Sequence, residues 1–290
     1  MLDIQYKPHV SSKYNQLFSD GKYDEAIQIM RTFCEQCERE SNPYGAMLAH
    51  INIASCYYYL GQIESTIQSV LSYKLLCDDY GGPYEQYYLC RIQALIYEYE
   101  QNYIKAKNTA QECIRLAEAL NLPYELSKNY CLLSNLHIMT EHYTEALSFA
   151  QKALLIAETQ CEENMYLRCQ IYCSLAATYV HLEQFTEAKD ILDLLAQDPF
   201  IQNNQLERSR YLLTKGIFTM KYEVLQDAIT YFKDAEKIAE SFLNHILLKK
   251  VYSYTALSYE QQRQFEKAYD YLKKYVEKIE ETHKEHLLSR

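Results

Sequence analysis

Gly21-Lys22-Tyr23-Asp24-Glu25-Ala26 is the first copy of a phrase that returns along the whole chain. Its last residue has counterparts at Thr66, Ala106, Ala146, Ala188, Ala228 and Ala268, at intervals of 40, 40, 40, 42, 40 and 40 residues. Phase kept over that length marks an internal repeat. The neighbours recur too, as in Asn102-Tyr103-Ile104-Lys105-Ala106, His142-Tyr143-Thr144-Glu145-Ala146, Gln184-Phe185-Thr186-Glu187-Ala188 and Gln264-Phe265-Glu266-Lys267-Ala268. Twelve residues ahead of each later slot stands a small residue: Ala54, Ala94, Ser134, Ala176, Gly216 and Ala256. Three residues after these come Tyr57, Tyr97, His137, Tyr179, Thr219 and Tyr259. Pro43, Pro83 and Pro123, each followed by Tyr, open successive units.

Two small residues per unit are what a close helix crossing needs, because a larger side chain would push the helices apart. Proline suits the first turn of a helix, where its missing N–H has no partner to lose. Leu147, Ala150, Leu154 and Ala157 keep helical spacing between the marks. Each unit therefore reads as helix A, a short turn and helix B, with turns near residues 21, 61, 101, 141, 183, 223 and 263. Several departures are visible. Ile63 and Thr66 replace aromatic and Ala, Leu225 takes an aromatic slot, and Gly216 is expected to weaken its helix. Asp198-Pro199 ends a helix early and predicts an irregular loop from Gln197 to Gln205, where the array could bend. The first helix is short, around Val10 to Ser19, and Phe265 to about Leu287 reads as one long final helix. Because stacked units touch mainly their neighbours, residues 1–290 read as one continuous all-α solenoid.

Composition agrees. Six glycines and five prolines in 290 residues are too few for a turn-rich β protein. The net charge of −10, with no Lys/Arg block, argues against direct nucleic-acid binding and against an anionic membrane surface. No basic, apolar leader opens the chain. The charge-free stretch Ser41–Ile63 holds Pro43, Gly45, His50, Asn52, Gly61 and Gln62, too polar for a span, so a cytoplasmic location is expected. Cys34 with Cys37, and Cys169 with Cys173, lie a helical turn apart. No second CxxC or close His pair completes a tetrahedral set, and the ten cysteines read as packing residues. His283 and His286 read as part of a solvated helix end. No GxGxxG, P-loop, GxSxG or HExxH is present, so neither an enzyme activity nor a cofactor is expected.

The small-x2-aromatic-x8-Ala spacing, with an aromatic three before the Ala, resembles the tetratricopeptide repeat over nearly the whole chain. The resemblance implies a right-handed α-solenoid of about seven hairpins, with helices longer than in the common 34-residue unit. Long units of this kind are similar to those of the Rap- and PlcR-like peptide receptors of Gram-positive bacteria and of bacterial sensory diguanylate cyclases. By that resemblance helix A lines the concave groove, and the inner positions are Tyr58, Tyr59, Tyr88, Arg91, Tyr99, Lys128, Asn135, Gln170, His181, Arg210 and Lys250. The two-carboxylate clamp of chaperone-binding members does not carry over, because its slots hold Ile51/Ser55, Arg91/Leu95 and Cys131/Asn135. Arg91 and Asn135, flanked by Tyr88, Tyr99 and Lys128, would suit a short extended peptide bearing an acidic group. The alternative for Arg91 is an ion pair with Glu98 or another local acid on a wet surface. The function implied is a peptide- or protein-binding module of a bacterial signalling protein. Neither a helix-turn-helix nor a three-helix bundle precedes the repeats. The competing readings are an input region of a larger enzyme such as a cyclase, and a structural adaptor or homodimer.

Overall fold

The computed structural model describes residues 8–161, 164–241 and 244–288, with side chains from 12 to 280 within those spans. Its helices pair as the repeat predicts. They are α1 (Pro8–Ser19) with α2 (Tyr23–Arg39), α3 (Pro43–Leu60) with α4 (Ile63–Tyr80), and α5 (Pro83–Tyr99) with α6 (Tyr103–Ala119). Next come α7 (Pro123–Met139) with α8 (Tyr143–Gln160) and α9 (Met165–His181) with α10 (Phe185–Gln197), followed by a short α11 (Pro199–Asn203). The array ends with α12 (Gln205–Tyr222) and α13 (Leu225–Ser241), then α14 (His245–Gln261) and α15 (Phe265–Leu288). No strand occurs among the described residues, and no helix is long and apolar enough to cross a membrane. The polar, charge-free stretch is α3, a repeat helix. The side chains of His283 and His286 lie outside the described residues.

The small slots are the crossing points. Ala54, Ala94, Ala106, Ala146, Ala176, Ala188 and Ala228 are all fully buried. Thr66 fits the same slot because its hydroxyl donates to the Gln62 carbonyl at 2.9 Å, which leaves its methyl group to pack. Gly216 is the extreme case. Helix α12 runs through it unbroken, and a β-carbon there would lie 2.4 Å from the Phe232 ring. Close approach of α13, rather than a weak helix, is what this glycine provides.

Six of the seven hairpin turns are built alike, the exception being that between α12 and α13, where Glu223 has φ of −114°. The chain crosses into left-handed backbone at Gly21, Gly61, Gln101, Glu141, Glu183 and Arg263. In each later turn the following N–H reaches back to the carbonyl of the slot residue at 57, 97, 137, 179 or 259, as in Asn102 N to Tyr97 O at 2.9 Å. This is a Schellman closure. Only two of the six turns use glycine, so the other four carry the Cβ penalty of that conformation. Glu183→Gly should therefore raise stability by about 0.5–1 kcal/mol, net of the glycine's own entropy cost. A higher denaturation midpoint would confirm it, and an unchanged or lower one would show the turn to be unstrained.

The 197–205 segment departs from expectation. It contains the five-residue α11 instead of an irregular loop. Asp198 caps it, accepting from Phe200 N at 2.9 Å, and Pro199 occupies the first turn, so the residues that end α10 restart a helix at once.

The superhelix comes round on itself. Helix α14 touches α3, and α15 touches α4. Ile246 packs into the cluster of Met47, Ile51, Tyr58 and Tyr99, while the His245 side chain sits against Gly61. Lys249 Nζ stands 3.5 Å from the centre of the Tyr99 ring, and the Asn204 amide donates to the Ser19 carbonyl at 3.4 Å. The last unit thus rests on the second and third, and the A helices turn their inner faces toward a common interior, the lumen.

Candidate functional site

Helix A is the inner helix of each hairpin, and its polar residues face one another across the lumen. On α5 and α7, Arg91 donates to the Asn129 side-chain carbonyl at 2.6 Å. The Asn129 amide donates to the Tyr87 hydroxyl at 3.1 Å, and Tyr87 in turn donates to Glu125 at 2.9 Å. Lys128 lies 3.3 Å from the same carboxylate and 5.1 Å from the centre of the Tyr124 ring. Burial alone would raise Glu125, but Lys128, Arg91 and the Tyr87 hydroxyl hold it below the usual carboxylate range. Burial pulls the other way on Lys128 and Arg91. Glu125, with the neighbouring tyrosines, nonetheless raises both above their ordinary values. The cluster therefore holds two cations against one carboxylate. Arg91 bonds Asn129, and the acid it is drawn to is Glu125 rather than Glu98, because the guanidinium reaches across to α7 rather than along its own helix.

A second cluster lies on α9 and α12. Arg210 forms a 2.8 Å ion pair with Glu207, whose side chain is fully buried. Burial raises the Glu207 carboxyl, opposed by Arg210 and by the nearby Gln170 amide. One carboxylate oxygen of Glu207 and the hydroxyls of Tyr23 and Tyr166 are buried with no hydrogen-bond partner among the described residues. Tyr59 lies between the two clusters, within electrostatic reach of Arg91, Lys128 and Arg210. It stacks on Tyr23 at 5.6 Å and lies edge-on to Phe18 and Tyr58.

The remaining expected inner residues are placed as follows. Tyr58 and Tyr99 are buried in the core between α3, α5 and α14, and the Tyr99 hydroxyl donates to the Gly61 carbonyl at 3.2 Å. Tyr88 is half-buried, edge-on to Tyr87 at 5.1 Å. Asn135 accepts from Ser174 on α9 at 3.0 Å, away from Arg91's own partner. Lys250 is half-buried beside Lys249, which burial and Lys250 together depress to about 8. His181 closes α9, stacked on Tyr143 at 4.6 Å.

Sequence reasoning missed Tyr87, Glu125, Asn129, Tyr166 and Glu207. A signal existed for the acids: Glu85, Glu125 and Glu207 all sit in the first turn of an A helix. Acids there are usually read as serving the helix dipole, and Glu85 does so by accepting from Gly82 N at 2.8 Å. Glu125 and Glu207 serve the lumen instead.

Burial and Lys221 lower His181 to about 4. Its folded value lies below the ordinary value of about 6.5, so the stability tied to the neutral ring is present above pH 6.5 and is lost as pH falls toward 4. His181→Phe keeps a ring on Tyr143 without a titrating group. Relative to the native chain, this variant should gain stability as pH drops from 7 to 4.5, measured by urea midpoints. A constant difference would show that the ring does not titrate with folding.

No family model matches the chain, and no curated protein matches it by sequence. Solved structures do. The chain is similar to a Rap protein complexed with competence and sporulation factor, at 14% identity over 94% of this chain and 74% of that one, with a TM-score of 0.72. It is similar to aspartyl phosphate phosphatase F from Bacillus subtilis, at 12% identity over 93% and 68% of the two chains, TM-score 0.65. The apo form of RapI matches at 13% identity over 95% and 98%, TM-score 0.63. At these identities the likeness is one of fold, and with the repeat phrase and the paired helices it makes the fold of this chain that of the tetratricopeptide-repeat solenoids.

Proposed function

We propose that the chain is a binding module for a short extended peptide or a partner's peptide segment, held in the lumen with an acidic group at Arg91 and Lys128. The observation that carries this reading is the charge imbalance of the first cluster, where one carboxylate faces two cations. A carboxylate from a ligand would complete it, and hydrogen bonds between charged groups contribute about 1.5–3 kcal/mol. The unpartnered Tyr23, Tyr166 and Glu207 atoms offer further contacts across the lumen. A similar fold holds competence and sporulation factor in the Rap complex. On this reading the module serves signalling rather than catalysis, and its partner is protein or peptide rather than nucleic acid.

Incubating the immobilised protein with a pool of short peptides of varied charge, then identifying acid-released peptides by mass spectrometry, tests it. Arg91→Ala still leaves Lys128 to balance Glu125, so the variant keeps a neutral cluster and should fold. Acidic peptides should be retained by the native protein and lost from Arg91→Ala. Equal retention by both, or no selection for acidic peptides, would reject the reading.

One observation favours a second reading, a self-associating adaptor. Phe265, Tyr269, Leu272 and Val276 form an apolar stripe on α15, between 46% and 68% exposed. Sedimentation of the native chain and of Leu272→Asp distinguishes it: a dimer abolished by the substitution supports it, and a monomer in both removes it.

A further inference from the structure

We propose that Cys34, Glu38 and His50 form a surface site for a zinc-class divalent cation, which ties α2 to α3. The three side chains come from two hairpins. Cys34 and Glu38 lie one turn apart on α2, and His50 reaches over from α3. The sulfur of Cys34 is 3.6 Å from His50 Nε2 and 3.8 Å from Glu38 Oε1, and all three ligand atoms lie within 4.8 Å of one another.

The two separations from sulfur are close to edges of a coordination tetrahedron. Metal–sulfur, metal–nitrogen and metal–oxygen bonds of about 2.3, 2.05 and 2.1 Å at tetrahedral angles place sulfur about 3.6 Å from both nitrogen and oxygen. A thiol hydrogen-bonded to one neighbour has no need of the other at the same range. Here the sulfur is close to both. One thiolate, one imidazole and one carboxylate are a donor set suited to zinc. Binding releases the Cys34 proton to solvent as the S–H bond gives way to S–metal. Thiolate and carboxylate together then neutralise the dication. Cys34 is buried and Glu38 exposed, so the cation enters from the Glu38 side and a water molecule can take the fourth position.

The location gives the site a role. The α1–α2 hairpin stacks on the array chiefly through α2 against α3, so its stability depends on that junction. A metal bridge across that junction would pin it. It stands apart from the lumen and does not depend on the function proposed above.

The test is a titration of the full chain, stripped of metal and kept reduced with a phosphine, using Co2+ as a spectroscopic probe and Zn2+ as competitor. One equivalent of Co2+ should produce tetrahedral visible bands and thiolate-to-cobalt absorption, both removed by one equivalent of Zn2+. Cys34→Ser should abolish the charge-transfer absorption, and His50→Ala and Glu38→Gln should each weaken binding at least about tenfold, since even loss of a group that only supports a ligand costs about that much. Glu38 is exposed, so Glu38→Gln carries no folding penalty and keeps the test decisive if the other variants misfold. Zn2+ should also raise the thermal midpoint of the native chain but not of Glu38→Gln. Absence of the absorption, or an identical absorption in Cys34→Ser, would overturn the proposal, the latter by assigning the metal to other thiols of the ten.

Discussion

Replacing Gly61 by alanine should destabilise the chain by about 3 kcal/mol, from two sources that add. Gly61 has φ of 73°, in the left-handed region where a β-carbon is strained by about 1–2 kcal/mol. A β-carbon there would also lie 2.6 Å from Cβ of His245, on the helix that closes the superhelix. Overpacking of this kind costs about 1–3 kcal/mol. The two sources separate in a double-mutant cycle. His245→Gly alone should have a small effect, because His245 opens its helix beside the capping Asn244. Combined with Gly61→Ala it should recover the contact part of the loss and leave the conformational part. Urea denaturation of the four proteins supplies the cycle. Strict additivity would mean that the second and seventh hairpins do not touch in solution.

Arg210→Ala should cost about 3 kcal/mol or more, because it leaves the Glu207 carboxylate buried without its counter-charge. Glu207 is completely enclosed and already raised by burial, with Arg210 the chief opposing influence. Removing Arg210 raises it further. An acid raised in the folded state favours folding as pH falls below its folded value, so the deficit of the variant should be largest near pH 8 and shrink toward pH 5. Glu207→Gln in the Arg210→Ala background should restore much of the loss at neutral pH. A deficit that is independent of pH would show that packing of the arginine stem, not charge, sets the cost.

What was legible in the sequence was what neighbouring hairpins impose on one another. Ala106, Ala146 and Ala188 recur because each unit repeats the same helix crossing, and that constraint sits inside one unit. Pro43, Pro83 and Pro123 open α3, α5 and α7 for an equally local reason. Asp198-Pro199 was legible only in part: the break was visible, while the restart as α11 depended on the cap. The lumen was harder to read. Inner positions could be placed on a helical face, but whether Arg91 meets Glu98, Asn129 or Asn135 depends on rotation between hairpins, which no residue pattern within a unit records. The contact of Gly61 with His245 is further removed. It is the sum of small rotations over five units, each set by its own packing. Cys34 and His50 stand sixteen residues apart on different hairpins, so no short motif joins them.

A ligand held as proposed would lie in the lumen against the inner helices. Hydrogen–deuterium exchange of the protein with and without a captured acidic peptide tests it directly. Exchange should slow in α5, α7 and α12, where Arg91, Lys128 and Arg210 lie, and stay unchanged in the outer helices α4, α6 and α8. Protection confined to the outer helices or to the stripe on α15, with the inner helices unaffected, would contradict it.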